Sequence, residues 1–220
     1  MPVADERTYL APILDDMRVH WPENRTVNLA CHGHSVPAGY FATPMVDTFE
    51  AYPHLLHRAL KHRFPFAVVN VIVTAIGGEN SESGADRFEH YVLCHRPDVI
   101  TIDYGLNDRV MGLERAEAAW RRMIDAALAR DAAVILLTPT HDASQMPQAP
   151  AEERELLPRH ADLIRRLAED YEVGLADSFR AFAGYTERQG LTDLLSWSNH
   201  PNRRGHELVA RELLRWFPAA

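Results

Sequence analysis

The 220-residue sequence predicts an α/β fold, a five-stranded parallel sheet with helices on both faces. Three observations predict it. Five short apolar runs rich in β-branched residues recur along the chain, helical patterns separate them, and the runs are almost continuously apolar, as strands covered on both faces are. Strand, helix and parallel strand are then joined by right-handed crossovers.

The elements follow in order. An opening helix over residues 6–20 precedes the first strand, 27–31. A helical pattern over 48–63 leads to the second strand, 67–76, and one over 84–95 to the third, 99–104. The helix over 113–130 precedes the fourth strand, 132–137, and the helix over 152–171 precedes the fifth, 173–176. A closing helix covers 203–216.

Composition sets the outer limits. Hydrophobic residues make up 46% and charged residues 25%, with no break in composition that would mark a linker. One domain over residues 1–220 is expected, with residues 1–24 as an N-terminal helical extension. The net charge of −8 argues against a nucleic-acid partner, which needs a concentrated basic face. The arginine pairs Arg121-Arg122 and Arg165-Arg166 sit on helical patterns as solvated faces. No secretory signal or membrane-spanning segment is visible, so a cytoplasmic protein is expected. Cys31 and Cys94 are too few for a disulfide scaffold and have no metal-binding spacing.

The chemistry lies at the strand ends, because open α/β sheets bind ligands outside the carboxyl ends of their strands. The first strand leads to Gly33-His34-Ser35 and the second to Gly77-Gly78-Glu79-Asn80. The third leads to Gly105-Leu106-Asn107-Asp108 and the fourth to Thr138-Pro139-Thr140-His141-Asp142. The loop before the last helix adds Asn199-His200-Pro201-Asn202, with Gly205-His206 behind it. A serine in a tight turn at a strand end is a candidate nucleophile, and an imidazole brought to the same rim is its base.

These blocks, in this order from about Val27 to Val209, resemble the SGNH hydrolases, also called the GDSL esterase/lipase family. Matched residue by residue, the four blocks carry Ser35, Gly78, Asn107 and His200. The resemblance implies a three-layer α/β/α, flavodoxin-like fold. It also implies a serine esterase acting through an acyl-enzyme on short-chain carboxylic esters, acetyl esters of carbohydrates among them, with no metal or organic cofactor. Ser35 and His200 would be catalytic, and the Ser35 and Gly78 backbone N–H groups with the Asn107 amide would form the oxyanion hole. Small-molecule or saccharide esters would be the partners.

Two positions depart from the family pattern. His34 stands where the first block usually has aspartate. Trp197 stands three residues before His200, where the orienting aspartate normally lies. Three arrangements remain open for His200: a backbone carbonyl near Ser196 to Ser198, the Asp193 carboxylate, or a Ser35–His200 dyad acting alone.

Other readings compete. Ser35 alone would suit a helix N-cap, as would Asn202, and Asn107-Asp108 a capping turn, with Asp108 the more structural of the two. His206 reads as a helix residue or buried hydrogen-bonding partner, and Trp197 and Trp216 as packing residues. Glu79, Asn80, Tyr104 and Arg109 are candidate pocket residues. A second functional class is a metal-dependent phosphoesterase built on His32, His34, Asp108, His141 and Asp142. A third is a catalytically silent binding relative, motivated by Trp197.

Overall fold

A computed structural model describes residues 3–219. Five strands form one sheet: β1 (Thr26–Gly33), β2 (Val68–Val73), β3 (Val99–Asp103), β4 (Ala133–Leu137) and β5 (Gly174–Ala176). Their order is β2-β1-β3-β4-β5 and every neighbouring pair is parallel. All five predicted strands are present. Of the second, 67–76, only Val68–Val73 is strand, although Thr74 and Ile76 still donate backbone N–H groups to the Cys31 and Gly33 carbonyls at 3.0 Å.

Side chains alternate across the central strands, giving two cores. Val27, Leu29 and Cys31 of β1, Val99 of β3, and Ile135 and Leu137 of β4 face one side. There they meet α1 (Ala11–Arg18), α3 (Tyr52–Arg63), α7 (Ser178–Thr186) and α8 (Arg203–Leu214). Ala30, Ile100, Ile102, Val134 and Leu136 face the other, against α4 (Ser81–Tyr91), α5 (Leu113–Leu128) and α6 (Ala151–Asp170). The result is the three-layer, flavodoxin-like arrangement. Among the described residues no helix is long and apolar enough to cross a membrane.

Several helix boundaries differ from the sequence reading. The opening helix is limited to Ala11–Arg18, with Pro12 in its first turn, where its missing N–H costs nothing. The region before α3 is a separate one-turn 3-10 helix, Thr48–Glu50. α4 starts three residues early because the Asn80 side chain accepts the Ser83 N–H and caps it. It is followed by a 3-10 turn, Leu93–His95. The nine-residue α7, capped by Asp177, lies in a stretch where no helix is predicted.

The topology fixes where chemistry can collect. From β1 the chain moves outward to β2 and then returns past β1 to β3, so the connections leaving β1 and β3 diverge at their carboxyl ends. The strands pair there with Gly33 beside Asp103. Only glycine fits at 33, because a Cβ would fall 2.4 Å from the Asp103 carbonyl oxygen.

Candidate active site

Ser35 is the first residue of a four-residue helix, α2 (Ser35–Ala38), directly beyond β1. It does not cap that helix. His34 does, its Nδ1 accepting the Val36 N–H at 3.2 Å, which leaves the Ser35 hydroxyl free. Ser35 Oγ lies 2.9 Å from His200 Nε2 and 3.4 Å from His34 Nδ1, and all three side chains are buried.

His200 is presented by a hairpin-like loop. Leu195 and Pro201 form an antiparallel bridge, and the His200 carbonyl accepts the Ser196 N–H at 3.0 Å. Asn202 then caps α8 through Gly205 N–H and ties the loop down by donating to the Asp193 carbonyl. Thus Asn202 has the capping role, while His200 meets the serine.

The group that orients His200 is none of those proposed from sequence. His200 Nδ1 donates to the backbone carbonyl of Phe41 at 2.7 Å. The Asp193 carboxylate points instead to Arg204 and Tyr185, and the Ser198 carbonyl accepts the Ala143 N–H. Phe41 lies in a tight excursion after α2, closed by the Tyr40–Val46 bridge and by Asp47 N–H to Gly39 carbonyl at 2.8 Å. A carbonyl only accepts, so Nδ1 carries the proton and Nε2 offers its lone pair to the Ser35 hydroxyl. Burial lowers the His200 pKa from its ordinary value, the Phe41 hydrogen bond opposes that shift, and the neighbouring His34 adds to it.

Gly78 and Asn107 come together at a cavity of their own. Gly78 has φ +83, a backbone conformation that glycine adopts without strain. Asn107 Nδ2 donates to the Glu79 carbonyl at 2.8 Å, stitching the loop after β3 to the loop after β2. Both residues line a cavity of about 400 Å3, together with Asn80, Leu106, Arg109, Val110, Glu153 and Leu156. That volume is enough for a small ligand. Ser35 and His200 stand outside its lining. Tyr40 spans the gap, its ring centroid 6.0 Å from that of His200 and its edge against Gly77.

The remaining candidates divide. Asp108 is structural, accepting the Ser81 N–H at 2.8 Å and the Trp120 indole N–H at 2.7 Å. His206 is a buried helix residue that accepts the Tyr52 N–H. Trp216 is core, but Trp197 is 63% exposed, contrary to its reading as a packing residue. Asn80 and Arg109 do line the cavity. Glu79 pairs instead with Arg87, and Tyr104 is buried.

The residues of the metal alternative do not converge. His32 spends its nitrogens on Thr74, the Gly84 carbonyl and Tyr104, while Asp142 pairs with Arg109 at 2.8 Å. His141 packs on Phe179 and Phe182. Among the described residues no three histidine, cysteine, aspartate or glutamate side chains are grouped to hold an ion. Sequence reasoning missed the Phe41 carbonyl, which a backbone atom 159 positions from its partner does not advertise.

The fold is shared with solved enzymes. The acetylxylan esterase Axe2 of Geobacillus stearothermophilus superposes with a TM-score of 0.75 at 22% identity, over 87% of this chain and 94% of that one. An alpha/beta hydrolase enzyme from the metagenome of Lake Arreo, Spain, gives 0.76 at 22% identity, over 91% and 97%. Three variants described as catalytic mutants of Axe2 replace a serine, a histidine and an aspartate by alanine. No curated protein sequence matches the chain. The model of the GDSL-like lipase/acylhydrolase family matches residues 31–208, well over half of the sequence, and the chain belongs to that family.

Proposed function

We propose that this protein is a serine esterase that hydrolyses short-chain carboxylic esters, acetyl esters of saccharides being the leading substrate class, through an acyl-enzyme. The observation that carries the reading is the 2.9 Å contact between Ser35 Oγ and His200 Nε2, with Nδ1 anchored on the Phe41 carbonyl. Family membership and the fold shared with an acetylxylan esterase support it.

In this mechanism Ser35 Oγ attacks the ester carbonyl carbon while its proton passes to His200 Nε2. The oxyanion is held by the Ser35 and Gly78 backbone N–H groups and the Asn107 amide. Collapse expels the alkoxide, which takes the proton from His200 and leaves as the alcohol. Water then attacks the acyl-serine, giving its proton to His200. The second tetrahedral intermediate releases the carboxylic acid and returns the proton to Ser35.

A carbonyl replaces the usual carboxylate on Nδ1. It fixes the tautomer equally well, but it brings less negative charge to the imidazolium that forms during attack. Hydrolysis of p-nitrophenyl acetate against longer esters, with Ser35→Ala and His200→Ala and with and without a chelator, tests the reading. Both variants should fall to background with unchanged melting, and chelation should have no effect. Folded variants as active as wild type would refute it.

A further inference from the structure

Behind the nucleophile lies a buried polar pair that the mechanism above does not use. His34 is 1% and Asp103 3% exposed. The Asp103 backbone carbonyl accepts the His34 N–H at 3.2 Å, and its carboxylate Oδ1 faces His34 Nε2 at 3.5 Å. The other carboxylate oxygen accepts the Tyr52 hydroxyl at 3.3 Å. Among the described residues His34 Nε2 has no hydrogen-bond partner, the Asp103 contact being long for one.

The tautomer of His34 follows from its cap. Nδ1 accepts the Val36 N–H, so in the neutral ring the proton is on Nε2, 3.5 Å from the Asp103 carboxylate. One imidazole thus does two tasks. It receives an N–H from the turn that carries Ser35, and it offers a donor to a buried carboxylate that also accepts from Tyr52. An aspartate at 34 could perform the first task but not the second, since it would set two carboxylates together out of water, where they cannot both ionise at modest cost. The histidine at this position therefore goes with the aspartate at 103.

We propose that His34 and Asp103 are a matched positioning pair that holds Ser35 and its N–H in register for attack, separate from the Ser35–His200 pair. The proposal rests on the esterase reading. His34 Nδ1 lies 3.4 Å from Ser35 Oγ but is not its base, because the shorter Val36 N–H bond at 3.2 Å already takes the Nδ1 lone pair.

The test is a double-mutant cycle on ester hydrolysis using His34→Asp, Asp103→Asn and the combination, each checked by thermal melting. His34→Asp alone should lower kcat at least about tenfold with KM within about twofold, because the turn is displaced while the cavity wall is untouched. Adding Asp103→Asn removes the second carboxylate and supplies an amide donor, so the double variant should recover to within a few-fold of wild type. Activity of His34→Asp equal to wild type, or a folded double variant no better than His34→Asp, would overturn the pairing. Ser35→Ala measured alongside separates the two failures, since retained activity there removes the esterase reading itself.

Discussion

His200 Nδ1 lies 2.7 Å from the backbone carbonyl oxygen of Phe41, and this contact stands where the family pattern would place an aspartate carboxylate. The residue at the expected position, Trp197, is mostly exposed. A main-chain acceptor on a loop closed by its own hydrogen bonds does the orienting, at a sequence separation of 159.

Restoring the family residue should therefore bring no gain. In Trp197→Asp the new carboxylate would have to displace a hydrogen bond already made at 2.7 Å, so kcat/KM on p-nitrophenyl acetate should stay within about threefold of wild type. A rise of about tenfold or more would show that Phe41 does not hold the ring in the working enzyme.

Asn107 should matter in turnover more than in binding. Replacing it with alanine removes the amide proposed as an oxyanion donor, and losing such a donor costs about 10²–10³ in kcat. The Glu79 carbonyl also loses its partner. Steady-state kinetics should show that drop with KM little changed, whereas a KM effect alone would place Asn107 in substrate binding only.

The pH dependences of rate and stability separate. Because burial holds the His200 pKa below its ordinary 6.5, the neutral base persists below that pH, and the acid limb of kcat/KM should have its midpoint under 6.5. Other histidines are buried neutral: His32 and His206 are pushed down to about 3, and His141 and His160 to about 4, chiefly by burial. Each binds a proton more readily when unfolded, so its contribution to stability is complete above about pH 6.5 and is lost as pH falls toward about 3–4. Thermal melting should decline steadily below about pH 6, and a melting temperature flat from about pH 7 to about pH 4 would contradict these burials.

Trp120→Phe tests the structural role of Asp108. The substitution removes the indole donor from a buried carboxylate and should destabilise by about 1–3 kcal/mol. Turnover measured well below the melting temperature should stay within about twofold. A larger loss of turnover would mean that Asp108 positions Asn107 more directly.

Much of this was legible in the sequence. The five strands carry continuous apolar runs, and their ends carry Ser35, Gly78 and Asn107, so the parallel sheet brings the last residues of those runs to one rim, where the loop before α8 adds His200. Three features were not legible. α7 is short and lies between the last strand and the histidine loop, with too few turns for a periodic pattern to stand out. The cap on α2 comes from His34, a residue type with no strong capping preference. The Phe41 carbonyl is available in every residue type, so only the folded loop distinguishes it.

The most direct test of the central claim is covalent trapping of the nucleophile. The protein is treated with an activated phosphonate ester, which phosphonylates an active serine and expels its leaving group, and the modified peptide is identified by mass spectrometry. The account predicts one stoichiometric adduct on Ser35, absent in Ser35→Ala and strongly slowed in His200→Ala. An adduct on another residue, or hydrolysis of esters that continues after Ser35 is fully modified, would contradict it.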